Sequence, residues 1–238
     1  MNPTLMVAYW HHRFTHIVWL IAFGAVVVLP VLGYVGPVRA LVHPSQVGNG
    51  GGIGLLFVAG LIGLETSSGV LQLVFARPVT RYEYVMSRWL AAVIGGIAAS
   101  SLQVAIVALA DLARGTPFPA ELYVSLAGSR ALDVVGIVAV VTMFSSFLPG
   151  LGDLAIFILA SGVATGLLAF GLQLHHPVYA VIGRILGESL SPSLPFPELS
   201  PFTVRSAYLC AAYASSVTLS LLVAVLVLNR KQLSYAFR

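Results

Sequence analysis

Charge is what this sequence has least of. Asp, Glu, Lys and Arg make up 8% of its 238 residues, against about 25% in an ordinary soluble domain. A conventional soluble core is excluded, because 58% of the chain is hydrophobic and the few charges are too sparse to cover a water-facing surface. Cysteine is almost missing too: Cys210 stands alone, which rules out an intramolecular disulfide and a thiolate metal cluster. No G-x-x-x-x-G-K-[ST] phosphate loop occurs, so the chain does not bind ATP by that route. The first apolar run exceeds the usual signal-peptide core of about 7 to 15 residues and no clear A-x-A site follows it. The first span is therefore expected to remain in the mature chain.

What is present is apolar length. The charges cluster and leave six charge-free windows, Phe14 to Val38, Ala40 to Leu64, Trp89 to Ala110, Val134 to Gly152, Leu154 to Gly183 and Ser206 to Asn229. A helix needs about 20 residues to cross about 30 Å of hydrocarbon. The sequence thus predicts an all-α polytopic membrane protein in one permease-like domain, with six transmembrane helices near 14–36, 47–64, 86–110, 131–148, 153–173 and 206–228. The second span reads as the weakest, since Gly48 to Gly54 interrupt its start. Pro149, Gly150 and Gly152 predict a tight turn between the fourth and fifth spans.

Six spans bring both termini to one side. With the termini cytoplasmic, Arg13, Arg77, Arg81, Arg88, Arg230, Lys231 and Arg238 fall inside, and Arg39, Arg114, Arg130, Arg184 and Arg205 outside. Seven against five favours that orientation. The net charge of +4 needs no nucleic-acid partner, because its basic residues are scattered along loops. Asp111, Asp133 and Asp153 read as span-end residues, and Gln103 as the polar residue well inside a span. Coupling to an ion gradient normally relies on ionisable groups deep in the spans, so that reading ranks below the others.

The segment 64–90 is the charged exception. Val70, Leu73 and Val74 share one helical face, with Leu71 and Phe75 beside them, and Ser67 or Ser68 can cap a short helix running from Glu65 to Phe75. Pro78 turns the chain at Arg77. Thr80 and Glu83 fit a capping box that starts the third span, with Val79 and Tyr84 at the staple positions. The segment therefore reads as a rigid elbow carrying an amphipathic helix. An ordinary interfacial helix lying in the headgroups fits the same pattern.

Glu65, Gly69, Val70, Leu71, Leu73, Arg77, Pro78, Val79, Arg81 and Arg88, in that spacing, resemble the loop after the second span of ABC-2 type permeases, the membrane subunits of ABC exporters. Val70 stands where that family commonly has Thr, and Arg88 where it has Lys. The closing segment Asn229 to Tyr235 also resembles the family's basic ending. The resemblance implies a coupling helix near 65–77 that docks on a separate ABC ATPase, through Glu65, Gly69, Val70, Leu73, Phe75, Arg77, Pro78 and Arg81. It also implies a dimer with a second permease copy or paralogue in the cell's inner membrane, with no cofactor, metal or catalytic residue of its own. A non-transport scaffold or assembly subunit is the competing class.

Four other patterns carry weaker signals. Gly150-Leu151-Gly152-Asp153 spells the G-x-G-D of intramembrane aspartyl proteases, but no partner aspartate motif accompanies it, and it reads as a glycine turn. His12 and His16 have a spacing that can hold a metal on a helix, without a carboxylate nearby. Gly162 and Gly166, and Gly95 with Gly96, are expected to serve packing within the subunit. Between the fifth and sixth spans, in the region 175–203, Val178, Ile182, Ile185 and Leu186 with Arg184 and Glu188 opposite predict an interfacial helix, read as a cap over the bundle rather than the lining of an exit path.

Overall fold

The computed structural model describes residues 3–35, 43–76, 79–115, 118–194, 196–199 and 202–231, apart from the side chains of His12 and Glu198. The helices are α1 (Pro3–Thr15), α2 (Ile17–Phe23), α3 (Leu29–Val35), α4 (Gly50–Val58), α5 (Gly63–Ser67), α6 (Val70–Phe75), α7 (Arg81–Ala113), α8 (Ala120–Phe147), α9 (Gly152–Gln173), α10 (Pro177–Leu190) and α11 (Val204–Arg230). Among the described residues, six helical stretches are long and apolar enough to cross a membrane: Ile17–Val35, Pro44–Ser67, Arg81–Ala113, Ala120–Phe147, Gly152–Gln173 and Val204–Arg230. The chain is an all-α polytopic membrane protein.

α7 and α8 form the frame, and α4 fills the angle between them. Lipid tails give apolar helices no reason to associate, so close approach depends on small residues. A Cβ on Gly96 would lie 2.6 Å from Val134, and one on Gly50 would lie 2.5 Å from the Arg130 carbonyl oxygen. The glycines that made the second span look weak are what let it enter the centre. Of its most apolar window 67% is buried, against 17% for the first and fifth spans.

α7 has 33 residues and α8 has 28; at about 1.5 Å per residue they span about 50 and 42 Å, more than the hydrocarbon thickness. The first span contains a π-helical stretch, Gly24–Val28, and the Gln103 side-chain amide donates to the Val27 carbonyl there at 3.0 Å.

The segment after α9 is not an interfacial cap. α10 folds back antiparallel along α9, with Gly171 against the Ala180 backbone and Gly183 against the backbone of Ala164 and Leu168. Past its end, the Pro192 carbonyl abuts Gly136, in the middle of α8. The chain then climbs again, where Phe196 packs on Gly128 and donates its amide to Ser129 Oγ at 3.2 Å. This is a re-entrant hairpin. Pro192 and Leu194 are buried at its tip, as non-helical backbone at membrane depth must be. The amphipathic periodicity was read correctly, but α10's partner is α9 rather than the headgroup layer.

Candidate functional site

The second span is broken. α4 ends at Val58 with Ala59 as its C-cap, Gly60 takes φ of +67°, and α5 begins at Gly63. A break strands backbone carbonyls on one side and amides on the other, and each stranded group costs several kcal/mol away from water. Both sets are satisfied by side chains from elsewhere.

On the carbonyl side, Tyr9 Oη donates to Phe57, and Arg13 donates to Leu56 at 3.4 Å and to Ala59. On the amide side, Gly60 donates to Asp153 Oδ2 at 2.9 Å, while Ile62 and Gly63 donate to Ser145 Oγ at 2.9 Å each. A cation thus meets a helix C-terminus and a carboxylate meets stranded amides, the signs that the helix dipole favours. The Arg13 guanidinium also lies 3.7 Å from the centre of the Trp19 ring. Burial is the largest influence on both groups from α1: it pushes the Tyr9 phenol up and draws the Arg13 guanidinium down.

Asp153 is therefore more than part of a glycine turn. It is fully buried, and its carboxylate accepts from the amides of Gly60 and Leu154. α1 was missed altogether by the reading from sequence. Its signal was legible: Leu5, Met6, Tyr9, Trp10 and Arg13 fall at i, i+1, i+4, i+5 and i+8, one helical face. These are its most buried described side chains.

The elbow follows the break directly. Glu65 pairs with Arg88 Nη2 and accepts from Tyr84 Oη. The two ion-pair side chains are 16% and 6% exposed. Glu65 is therefore locked to α7 rather than standing as a hydrated loop charge, and Arg88 also donates to the Leu5 carbonyl at 3.3 Å, which brings α1 into the same cluster.

The expected single helix from Glu65 to Phe75 is instead two. Gly69 takes φ of +74° between α5 and α6, a left-handed conformation that glycine adopts without steric cost. Ser67 and Ser68 do not cap α6; their hydroxyls donate back to the Leu64 and Glu65 carbonyls. The six residues of α6 divide by face. Leu71 is buried, and Val74 and Phe75 pack on the core, with the Phe75 ring set edge-on 5.3 Å from Tyr84. Leu73 is 71% exposed and Val70 41%. Phe75 thus belongs to the inner face, not to the outward one with Leu73.

Thr80 caps α7, accepting from the Glu83 amide at 3.2 Å, and the Glu83 carboxylate accepts from the Thr80 amide at 3.2 Å. Tyr84 is buried and Val79 packs against the same core cluster. Arg81 reaches the Leu228 carbonyl and Lys231 the Phe147 carbonyl, binding the ends of α11 and α8 to the elbow. Arg77 and Pro78 lie outside the described residues, as do Arg39, Arg238 and residues 232–235 of the closing segment.

Two polar clusters sit nearer the other face. Arg130 donates to Gln103 Oε1 at 3.1 Å and to the Val47 carbonyl at 2.6 Å. It is a buried charge at the depth of Gln103, so the expectation that no charge lies deep in the bundle fails. The residue-by-residue reading assigned Arg130 to a loop, whereas α8 begins ten residues earlier, at Ala120. Asp111 accepts from Tyr34 at 2.8 Å and from Tyr123 at 2.7 Å. Gly95 and Gly96 serve internal packing as expected; Gly162 and Gly166 do not, because a Cβ on either meets nothing within 4 Å.

A scan against protein-family models, a comparison with curated proteins and a comparison with solved structures each find no match.

Proposed function

We propose that this chain is the membrane-spanning permease subunit of an ATP-driven ABC exporter, working with a separate ABC ATPase and a second permease copy or paralogue in the inner membrane. The observation that carries the reading is α6. It is a six-residue helix presenting Leu73 and Val70 outward from an elbow tied to α7 by the Glu65–Arg88 pair and the Thr80–Glu83 capping box. Exposed apolar side chains on a rigid mount suit a desolvated contact with a protein partner. An interfacial helix needs no such mount.

The frame also suggests how motion passes. A push on α6 reaches Glu65, and through Arg88 and Tyr84 it reaches α7. Through the break at Ala59 to Ile62 it reaches α4, at the centre of the bundle. α7 tilts as a unit because its capping box and the Glu65 pair fix it to the elbow. ATP binding by the partner would supply the push, and access would alternate between the two faces.

Buried charges such as Arg130 and Asp153 also fit an ion-coupled carrier, but each is bound to the backbone of an interrupted segment. That structural use supports the permease reading over the carrier. In the proposed orientation the termini and α6 are cytoplasmic. A cysteine at the exposed Tyr82 should label from inside and one at Glu121 from outside, in a Cys210-free background. Labelling of both from one face would overturn the six-span arrangement. The purified chain alone should hydrolyse no ATP. Chain isolated from its native membrane should carry a protein containing a phosphate loop; ATP turnover by the chain alone would contradict the reading.

A further inference from the structure

Helical hydroxyls on this chain are commonly spent on the backbone; one cluster is not. Thr66, Ser67, Thr142, Ser146, Ser215 and Ser220 each donate back to a carbonyl three or four residues earlier. Ser161 and Thr165 on α9, and Ser191 and Ser193 just past the end of α10, make no side-chain hydrogen bond among the described residues. All four line one cavity of about 360 Å³ between α9 and the segment that folds back along it. A crevice of about 450 Å³ between α10 and α11 adjoins it, shares Ser193, and adds Ser216 and Tyr208. Tyr208 is 71% exposed.

The charges at this place are balanced. Arg184 Nε donates to Glu188 Oε1 at 2.8 Å, and both residues wall the two cavities. The pair is net neutral, yet the Nη groups of Arg184 and Oε2 of Glu188 make no hydrogen bond among the described residues. Arg205, also on the wall of the crevice, has an interaction of its own. The polar capacity left over is mixed and carries no net charge: hydroxyls that donate and accept, N–H groups that donate, and a carboxylate oxygen that accepts. An ionic occupant would be opposed by one member of the pair. An apolar occupant would desolvate all of these groups and replace none of their hydrogen bonds.

We infer that these adjoining cavities bind a neutral polyhydroxylated group, a sugar carried free or on a lipid. Neighbouring sugar hydroxyls match the Arg184–Glu188 pair, one accepting from an Nη group and the next donating to Oε2, while the serine and threonine hydroxyls serve the rest of the ligand. The exposed ring of Tyr208 suits the C–H face of a sugar, since tyrosine joins an apolar body to a polar tip. Each volume falls in the range of about 300 to 1,000 Å³ usual for small-molecule sites. The assignment does not rest on the permease reading.

The test uses the full chain in lauryldimethylamine oxide, a detergent without sugar. Maltose and its anionic counterpart maltobionate are titrated separately, with saturation transfer to the sugar protons and melting temperature as readouts. Digalactosyl diacylglycerol and diacylglycerol of the same chains are compared by native mass spectrometry. Saturable binding of maltose, with maltobionate much weaker, identifies a free sugar; retention of the glycolipid over the diacylglycerol, without maltose binding, identifies a lipid-borne one. The double variant Ser161→Ala/Thr165→Val, which removes two hydroxyls and keeps the shape, should bind about five- to tenfold more weakly. Gly187 lines the first cavity, and a Cβ there meets nothing within 4 Å, so Gly187→Leu should keep its melting temperature and lose binding. Absence of saturable binding by both sugar forms, equal binding of maltose and maltobionate, equal retention of diacylglycerol, or unchanged binding in either variant would each overturn the assignment.

Discussion

The two interruptions in this bundle handle polar groups in opposite ways. Where the second span breaks, every charge is spent on the protein itself: Arg13 on stranded carbonyls, Asp153 on a stranded amide, Glu65 on Arg88. Where the chain folds back beside α9, Arg184 and Glu188 pair with each other and their side chains stay largely exposed. The first arrangement holds geometry, and such groups are costly to disturb. The second leaves its charges exposed, and such groups are cheap to change. Burial and saturation, more than the presence of charge, separate the two regions.

Mutation should separate the two regions most sharply at Glu65. Glu65→Ala leaves Arg88 buried without its partner and should destabilise by about 3 to 5 kcal/mol, read as a lower unfolding midpoint in detergent. The double variant Glu65→Ala/Arg88→Leu should recover part of that loss, since no charge is then stranded. A loss of only a few tenths would mean the pair is hydrated and the elbow loose. Asp153→Ala comes next. It orphans the Gly60 amide and should cost about 1 to 3 kcal/mol. Asp153→Asn keeps an acceptor oxygen and should cost clearly less; identical losses would remove the capping role assigned to that carboxylate. The smallest effect belongs to the re-entrant hairpin, where Arg184→Gln should leave the melting temperature unchanged in lipid-free detergent. A large drop there would erase the distinction between the regions.

Legibility in the sequence follows the same division. Six spans and the capping box at Thr80 and Glu83 could be read directly, because each depends on local periodicity or local hydrogen bonding; the split of α6, with Leu73 outward and Val74 on the core, could not. Nor could long-range pairings. Nothing near Glu65 announces Arg88 as its partner, and nothing near Arg13 announces the carbonyls of Leu56 and Ala59. Glycine was misread in both directions. Gly50 and Gly54 looked like weaknesses but let α4 reach α8, while Gly162 and Gly166 looked like internal packing but face open space. Counting basic residues for topology overlooked a second use as well. Arg13, Arg81, Arg114 and Lys231 each donate to carbonyls near a helix end, which would draw cations to those positions whatever the orientation.

The central claim is that α6 is a docking surface on a rigid mount, and Leu73 tests it most directly. Leu73 is exposed, so Leu73→Asp should leave the melting temperature and membrane abundance of the chain unchanged. In a desolvated contact the new carboxylate would cost several kcal/mol. Co-purification of the ATPase with wild-type and Leu73→Asp chains, at equal membrane abundance, is the measurement. The account predicts that the partner is recovered with the wild type and lost with the variant. Equal recovery of the ATPase with both chains would contradict it.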